Sequence, residues 1–299
     1  VSWSARHVSP KENFYTNMVQ LLDIDNLSKE DIRVIWCAVD NREEREARVN
    51  IAWSFEGNGI RTRTTFIQAF QSLGANYVEL PNFLKTGESA KDLAGYMDSF
   101  YSMYVIRESN HQRLIEFSNA TTKPVINAMS NEAHPCEVLT DTYYLYSKFK
   151  SLSDLRILLW GPVTNVFKSW HSLGNTLDLN IKHYCPLEYH QNDRSVSYTD
   201  NLYGNYDVLV TDAWPEGFSD NSYSLSNEKL NDIGCPLILP TPPVTVGNEL
   251  SSPISSLENF VGYRQKYLLL PVQIETIYYL LGNGLTSQAS RTASPAAPS

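Results

Sequence analysis

At 299 residues, with 42% hydrophobic and only 19% charged residues, the chain has the makeup of a soluble globular protein of about two domains, not of a disordered or fibrous one. A net charge of −9 and a pI near 5.2 exclude general affinity for nucleic acid and leave room only for a local basic pocket. No apolar run approaches the roughly 18 residues that span a bilayer, and no signal-peptide pattern opens the sequence. Four well-separated cysteines (Cys37, Cys136, Cys185, Cys235) include no Cys-x-x-Cys pair, so reduced thiols, a cytoplasmic setting and no membrane partner are expected.

In chain order, residues 13–41 read as helix, with Ser28 as N-cap and Asp31 in the capping-box position. The mixed charges of 42–48 suit a solvated face. A strand over 49–55 ends in Gly57-Asn58-Gly59. The helix that follows places Phe66, Ala69, Phe70 and Leu73 at three- and four-residue spacings. Next come a strand at 76–80, a loop over 81–89, a helix around 92–100, and strands at 102–106 and 124–128. A further helix begins near Val138. The second half repeats the order: strand 155–160, turn 161–164, helix 165–173, then strands at 180–183, 206–211 and 236–239. Closing helices cover 258–281, with Pro271 as a break or a first-turn residue. This alternation predicts an α/β fold of mostly parallel sheets covered on both faces.

Three segments carry candidate chemistry. Arg61-Thr62-Arg63 opens a helix straight after a strand and a Gly turn, which aims free amides, a hydroxyl and guanidinium groups at one point, a ready anion site. A cation is disfavoured at a positive helix end unless an anion is expected there, which singles out Arg61; Arg63 suits a structural pairing with a carboxylate. Arg107 follows a strand, at the edge where α/β sheets bind ligands. His134-Pro135-Cys136-Glu137 leads into a helix, where His134 serves either chemistry or capping. Gly57-Asn58-Gly59 lacks the third glycine and later acid of a dinucleotide fingerprint, and His183, Cys185 and His190 lack metal-ligand spacing. Neither a cofactor nor a metal is expected.

The segments Phe55-Glu56-Gly57-Asn58-Gly59-Ile60-Arg61-Thr62-Arg63 and His134-Pro135-Cys136-Glu137 resemble the aspartate/ornithine transcarbamylase family, whose signatures are Phe-Glu-x-x-Ser-Thr-Arg-Thr-Arg and His-Pro-x-Gln. The resemblance spans residues 12–283. It implies two doubly wound parallel-sheet domains flanking a cleft, with a C-terminal helix returning to the first domain. The implied division is a carbamoyl-phosphate-type (anion) domain over 1–137, an acceptor-binding domain over 138–258, closing helices over 259–284 and a disordered tail over 285–299. It also implies a homotrimer whose loop 84–89, with Lys85, reaches a neighbour's site. By the same resemblance Gly59, Ile60, Arg61, Thr62 and Arg107 surround the phosphate of a phosphorylated donor. Thr62, Arg107 and His134 polarise its carbonyl, by oxyanion-hole logic. Glu137 meets the transferred group, while Asn165, Asp212 and Pro242 face the amine acceptor. Asn165 is equally suited to an N-cap.

Several positions depart from the family pattern. Gly59 and Ile60 replace Ser and Thr, and a hydrogen bond to a charged group is worth about 1.5–3 kcal/mol. Glu137 replaces Gln, and a charge at ~4 Å from an anionic donor costs about 4 kcal/mol at an effective dielectric of ~20. It therefore pairs with an arginine, is protonated, or meets a different, cationic ligand. Thr211-Asp212-Ala213-Trp214 matches the ornithine-type Thr-Asp-Val-Trp, but the Ser-Met-Gly that should follow is absent, as is the arginine pair of aspartate-type members. Pro240-Thr241-Pro242-Pro243 stands where a catalytic Cys is usual, and Pro242-Pro243 is a candidate cis bond. Two functions stay open: a transcarbamylase-like transfer of a carbamoyl or related acyl group to a non-standard amine, or a non-catalytic paralogue that binds an anion.

Overall fold

The structure, a computed structural model, describes residues 20–41, 44–192 and 196–292, with 283–292 as backbone only. The capping box is formed: the Ser28 amide donates to Asp31 Oδ2 at 2.7 Å and the Asp31 amide to Ser28 Oγ at 3.2 Å. Helix α1 therefore spans Lys29–Asn41 rather than beginning at 13. Ahead of it, Leu21 bridges to Ile126 and a 3-10 turn covers Ile24–Asn26; residues 13–19 lie outside the described residues.

The first sheet contains β1 (Asn50–Phe55), β2 (Asn76–Glu79), β3 (Met103–Arg107) and β4 (Val125–Met129), in the order β2-β1-β3-β4 and parallel throughout. Helices α2 (Ile60–Ser72), α3 (Ala90–Met97) and α4 (His111–Ala120) make the crossovers, and α4 was not among the predicted elements. Five of the six residues of β1 are buried, because helices cover both faces of the sheet. Helix α5 (Pro135–Phe149) leads to the second parallel sheet. This holds β5 (Arg156–Trp160), β6 (Asn180–Tyr184), β7 (Ser197–Thr199), β8 (Val208–Thr211) and β9 (Leu237–Pro240), ordered β7-β6-β5-β8-β9. Helices α6 (Asn165–Leu177) and α7 (Asn227–Asp232) belong to this half.

A 3-10 segment (Arg264–Leu268) runs directly into α8 (Leu269–Thr292), which packs against α1, α2 and α5 and so returns the chain to the first half. Pro271 lies in the first turn of α8, where its missing N–H needs no partner. The helix runs on to Thr292, beyond the expected boundary at 284; residues 293–299 lie outside the described residues. One apolar core runs through both halves, from Ile51 and Val105 through Leu139 on α5 to Leu159, Leu173 and Ile277. Polar ties add to it: Ser169 and Ser172 of α6 donate to Asp23 at 2.6 and 2.7 Å. No helix among the described residues is long and apolar enough to cross a membrane.

Candidate functional site

The carboxyl ends of both sheets open onto one cavity of about 1210 Å³. Its first wall is built at the β1–α2 junction. Gly57, at φ 73°, turns the chain, and Gly59 precedes α2 without any side-chain cap, so the first amides of the helix are left for another acceptor. Gly59, Ile60, Arg61 and Thr62 all line the cavity. Arg107, the last residue of β3, joins them with its guanidinium 5.0 Å from the centre of the Phe55 ring. A Cβ on Gly59 would lie 2.7 Å from Arg107 Cζ, so the guanidinium occupies the space a side chain at 59 would need. Burial lowers the pKa of Arg107, with Glu56 opposing. Arg63 turns away from the cavity, stacking on the same Phe55 ring and pairing with Glu79, as its expected structural role requires.

His134 stands before α5, with Pro135 as first helical residue, and its side chain makes no capping bond. Its backbone amide donates to Ser169 Oγ at 3.0 Å, so α6 fixes the position of the histidine. The imidazole is 8% exposed, Nδ1 has no partner among the described residues, and burial pulls its pKa down to about 4. The ring is therefore neutral at physiological pH. Cys136 is buried, which pushes its thiol up to about 12, outside the range of a ready nucleophile.

Glu137 meets a lysine rather than an arginine. Lys266 Nζ lies 2.5 Å from Glu137 Oε1 and 2.9 Å from Asp141 Oδ1. Burial would raise the Glu137 carboxyl, but Lys266 outweighs it and holds it below its ordinary value; Asp141, wholly buried and beside Glu137, is raised. A Gln-to-Glu change on α5 is thus matched by a cation from the segment before α8. Sequence reasoning missed Lys266, whose one signal was the need of Glu137 for a counter-charge.

The second wall comes from the other half. Thr164, not Asn165, caps α6, accepting from the Phe167 amide at 3.2 Å. Asn165 instead donates from Nδ2 to the Ser130 carbonyl at 2.7 Å, a tie between the two walls, while still lining the cavity. Asp212, just past β8, is 7% exposed and accepts from the Thr164 hydroxyl and the Ala213 amide; burial raises its carboxyl to about 7. Thr241, Pro242 and Pro243 complete this wall. The Pro242-Pro243 bond is cis, and the Thr241 hydroxyl is buried without a partner among the described residues. Lys85 is not part of the lining: its ammonium sits 2.6 Å from Glu108 and 3.2 Å from Glu56, and the neighbouring Phe83 and Leu84 are buried. His183 lies deep in the second half, bonded to His171 at 3.0 Å and to the Gly161 carbonyl at 2.8 Å.

The fold and cavity define a class: two parallel α/β halves around a cleft, with a helix N-terminus and two guanidiniums on one wall and a buried carboxylate on the other. The family model for the aspartate/ornithine carbamoyltransferase carbamoyl-phosphate binding domain matches residues 19–147. The ornithine carbamoyltransferase of Methanococcus vannielii is 30% identical over 242 residues, 72% of this chain and 77% of that protein. That of Prochlorococcus marinus subsp. pastoris is 30% identical over 158 residues, so the match spans about half of that relative's length (51%). Among solved structures, ornithine carbamoyltransferase from Thermus thermophilus superposes with a TM-score of 0.80 at 22% identity, over 89% of this chain and 100% of the other. The catalytic subunit of Methanocaldococcus jannaschii aspartate transcarbamoylase does so at 0.72 and 20%, over 89% and 98%; at such identities the likeness concerns the fold. The chain belongs to the aspartate/ornithine carbamoyltransferase family, a family of transferases.

Proposed function

We propose that this chain transfers a carbamoyl or related acyl group from a phosphorylated donor to an amine of an acceptor other than ornithine or aspartate. The observation that carries this reading is that Arg61, Arg107, a neutral His134 and a buried Asp212 line one cavity between the two halves. The α2 N-terminus, Arg61, Thr62 and Arg107 hold the phosphate. Neutral His134 donates to the carbonyl oxygen and stabilises the charge that grows on it. The amine nitrogen bonds to the carbonyl carbon, the carbon–oxygen bond to phosphate breaks with its electron pair leaving on phosphate, and the departing phosphate takes up the surplus amine proton. Asp212 orients the acceptor. Glu137 acts through Lys266, whose charge it holds at the cavity floor. We place the chain in a homotrimer in the cytoplasm, with loop 84–89 near a neighbouring subunit.

Calorimetric titration with carbamoyl phosphate, then with inorganic phosphate, tests the donor half. Arg61→Ala and Arg107→Ala should each weaken both ligands by about tenfold to hundredfold, the worth of a charge-assisted bond. Equal affinity in both variants would remove the phosphate-donor reading. Exposed Ile60, where the family signature places a hydroxyl, favours a second reading, an anion-binding paralogue without turnover. Tight donor binding with no product from a broad amine panel would select it.

A further inference from the structure

Among the described residues of this chain, both lysines on the acceptor wall of the cavity have carboxylate partners. Lys168, which projects from α6, lies 2.5 Å from Glu132. Lys266 is held between Glu137 and Asp141. The amide of Asn165 is used on the Ser130 carbonyl. Arg61 and Arg107 stand on the opposite wall, at the helix terminus. The charges left to meet an acceptor are Asp212, buried, and Glu216, exposed farther along the same loop. The same wall carries aliphatic Val163, Ala213, Pro215, Pro242 and Leu269 beside the polar Thr164, Asn165 and Thr241. His134 and Thr241 both line this cavity, and each keeps one buried polar atom, Nδ1 and the hydroxyl, without a partner among the described residues.

We propose that the acceptor is an aliphatic diamine without a carboxylate, anchored as an ammonium on Asp212, with its other, uncharged amine reaching the carbonyl carbon. This rests on the transferase reading above. An α-amino acid brings a carboxylate to a wall whose own cations, among the described residues of this chain, already have carboxylate partners, and to two acidic groups that repel it; a carboxylate that is desolvated without a partner loses more free energy than its chain gains by burial. A diamine carries a positive charge to Asp212 and methylenes to the aliphatic side chains of the wall.

The test uses matched pairs that differ by one carboxylate: 1,4-diaminobutane against L-ornithine, and 1,5-diaminopentane against L-lysine. Each is incubated with the full chain and carbamoyl phosphate, and carbamoylated product is measured by mass spectrometry. At least one diamine should exceed its amino-acid counterpart in kcat/KM by about a hundredfold. Asp212→Asn, which keeps the shape of the side chain, should abolish diamine use while carbamoyl-phosphate affinity, measured by calorimetry, stays the same. Preference for either amino acid would overturn the acceptor assignment and leave the transferase reading standing. Donor binding with no product from either pair would likewise overturn it. Failure to bind carbamoyl phosphate at all would overturn the transferase reading, and the diamine assignment with it.

Discussion

Gly59 decides where Arg107 can stand. The family signature carries a serine here, and the usual inference is that its loss removes a phosphate ligand. In this chain the guanidinium fills the vacated space, 2.7 Å from where a Cβ would be, with the Phe55 ring also 2.9 Å away. Gly59→Ser should therefore weaken phosphate binding, by about tenfold, since displacing a charged donor loses more than a neutral hydroxyl returns. Tighter binding by the serine variant in a calorimetric titration would show that Arg107 does not substitute for the missing hydroxyl. Asp212 supports a pH prediction. Its carboxyl is raised from 3.8 to about 7 by burial, so between those values the folded chain holds a proton that the unfolded chain has released. Its contribution to stability is present below the unfolded value and lost as pH rises toward 7. Asp212→Asn should flatten that part of the profile of midpoint denaturant against pH. A cationic acceptor should bind more tightly as pH rises through 7, and the asparagine variant should lose that dependence.

At the scale of elements, α5 and the segment before α8 are tied by one buried lysine between two carboxylates. Glu137 stood out in the sequence as a mismatch, but its counter-charge did not, because Lys266 lies within the 258–281 stretch read only as closing helix and meets α5 only through the tertiary fold. Lys266→Met should cost about 3–5 kcal/mol in urea denaturation, the range for stranding a buried charge. Adding Glu137→Gln should recover part of it, since one stranded carboxylate is then neutral. A single variant as stable as the parent would mean the triad is open to water. The same logic of local against distant information separates what was legible from what was not. Hydrophobic runs such as 102–106 and 124–128 announced their strands, and Ser28 and Asp31 announced α1. Helix α4 was missed although Asn110 caps it by accepting from the Arg113 amide, because its ten residues bury only two large apolar side chains, Leu114 and Phe117. β7 was missed because three residues give no readable alternation. Arg61, Thr62, Arg107 and His134 stood out as candidates because each follows a strand or opens a helix, Asp212 only through the family resemblance, and all five line the cavity. Thr164 and Lys266 did not stand out, since only the closing of two halves brings them to the cavity.

For the whole molecule, the question is whether one chain completes its own site. Lys85 and the exposed loop behind it lie outside the cavity of their own chain, pinned at the base by buried Phe83 and Leu84. The ammonium rests on Glu108 and Glu56, and Glu56 lines the cavity. In the trimer we propose, that ammonium is presented to the neighbour from a fixed base, whereas in a monomer it could influence the site only through Glu56. Light scattering should give a mass of three chains of 33.9 kDa each. Mixing then separates the two routes. Arg61→Ala and Lys85→Met chains, each depressed in turnover by itself, are unfolded together, refolded and assayed. If Lys85 serves a neighbour, some mixed trimers pair an intact Arg61 with an intact Lys85 across a subunit boundary, and activity returns in part. If Lys85 acts within its own chain, no chain in the mixture holds both residues, and activity stays at the level of the separate variants. We expect recovery; its absence, with trimers present, would confine Lys85 to a structural role beneath Glu56.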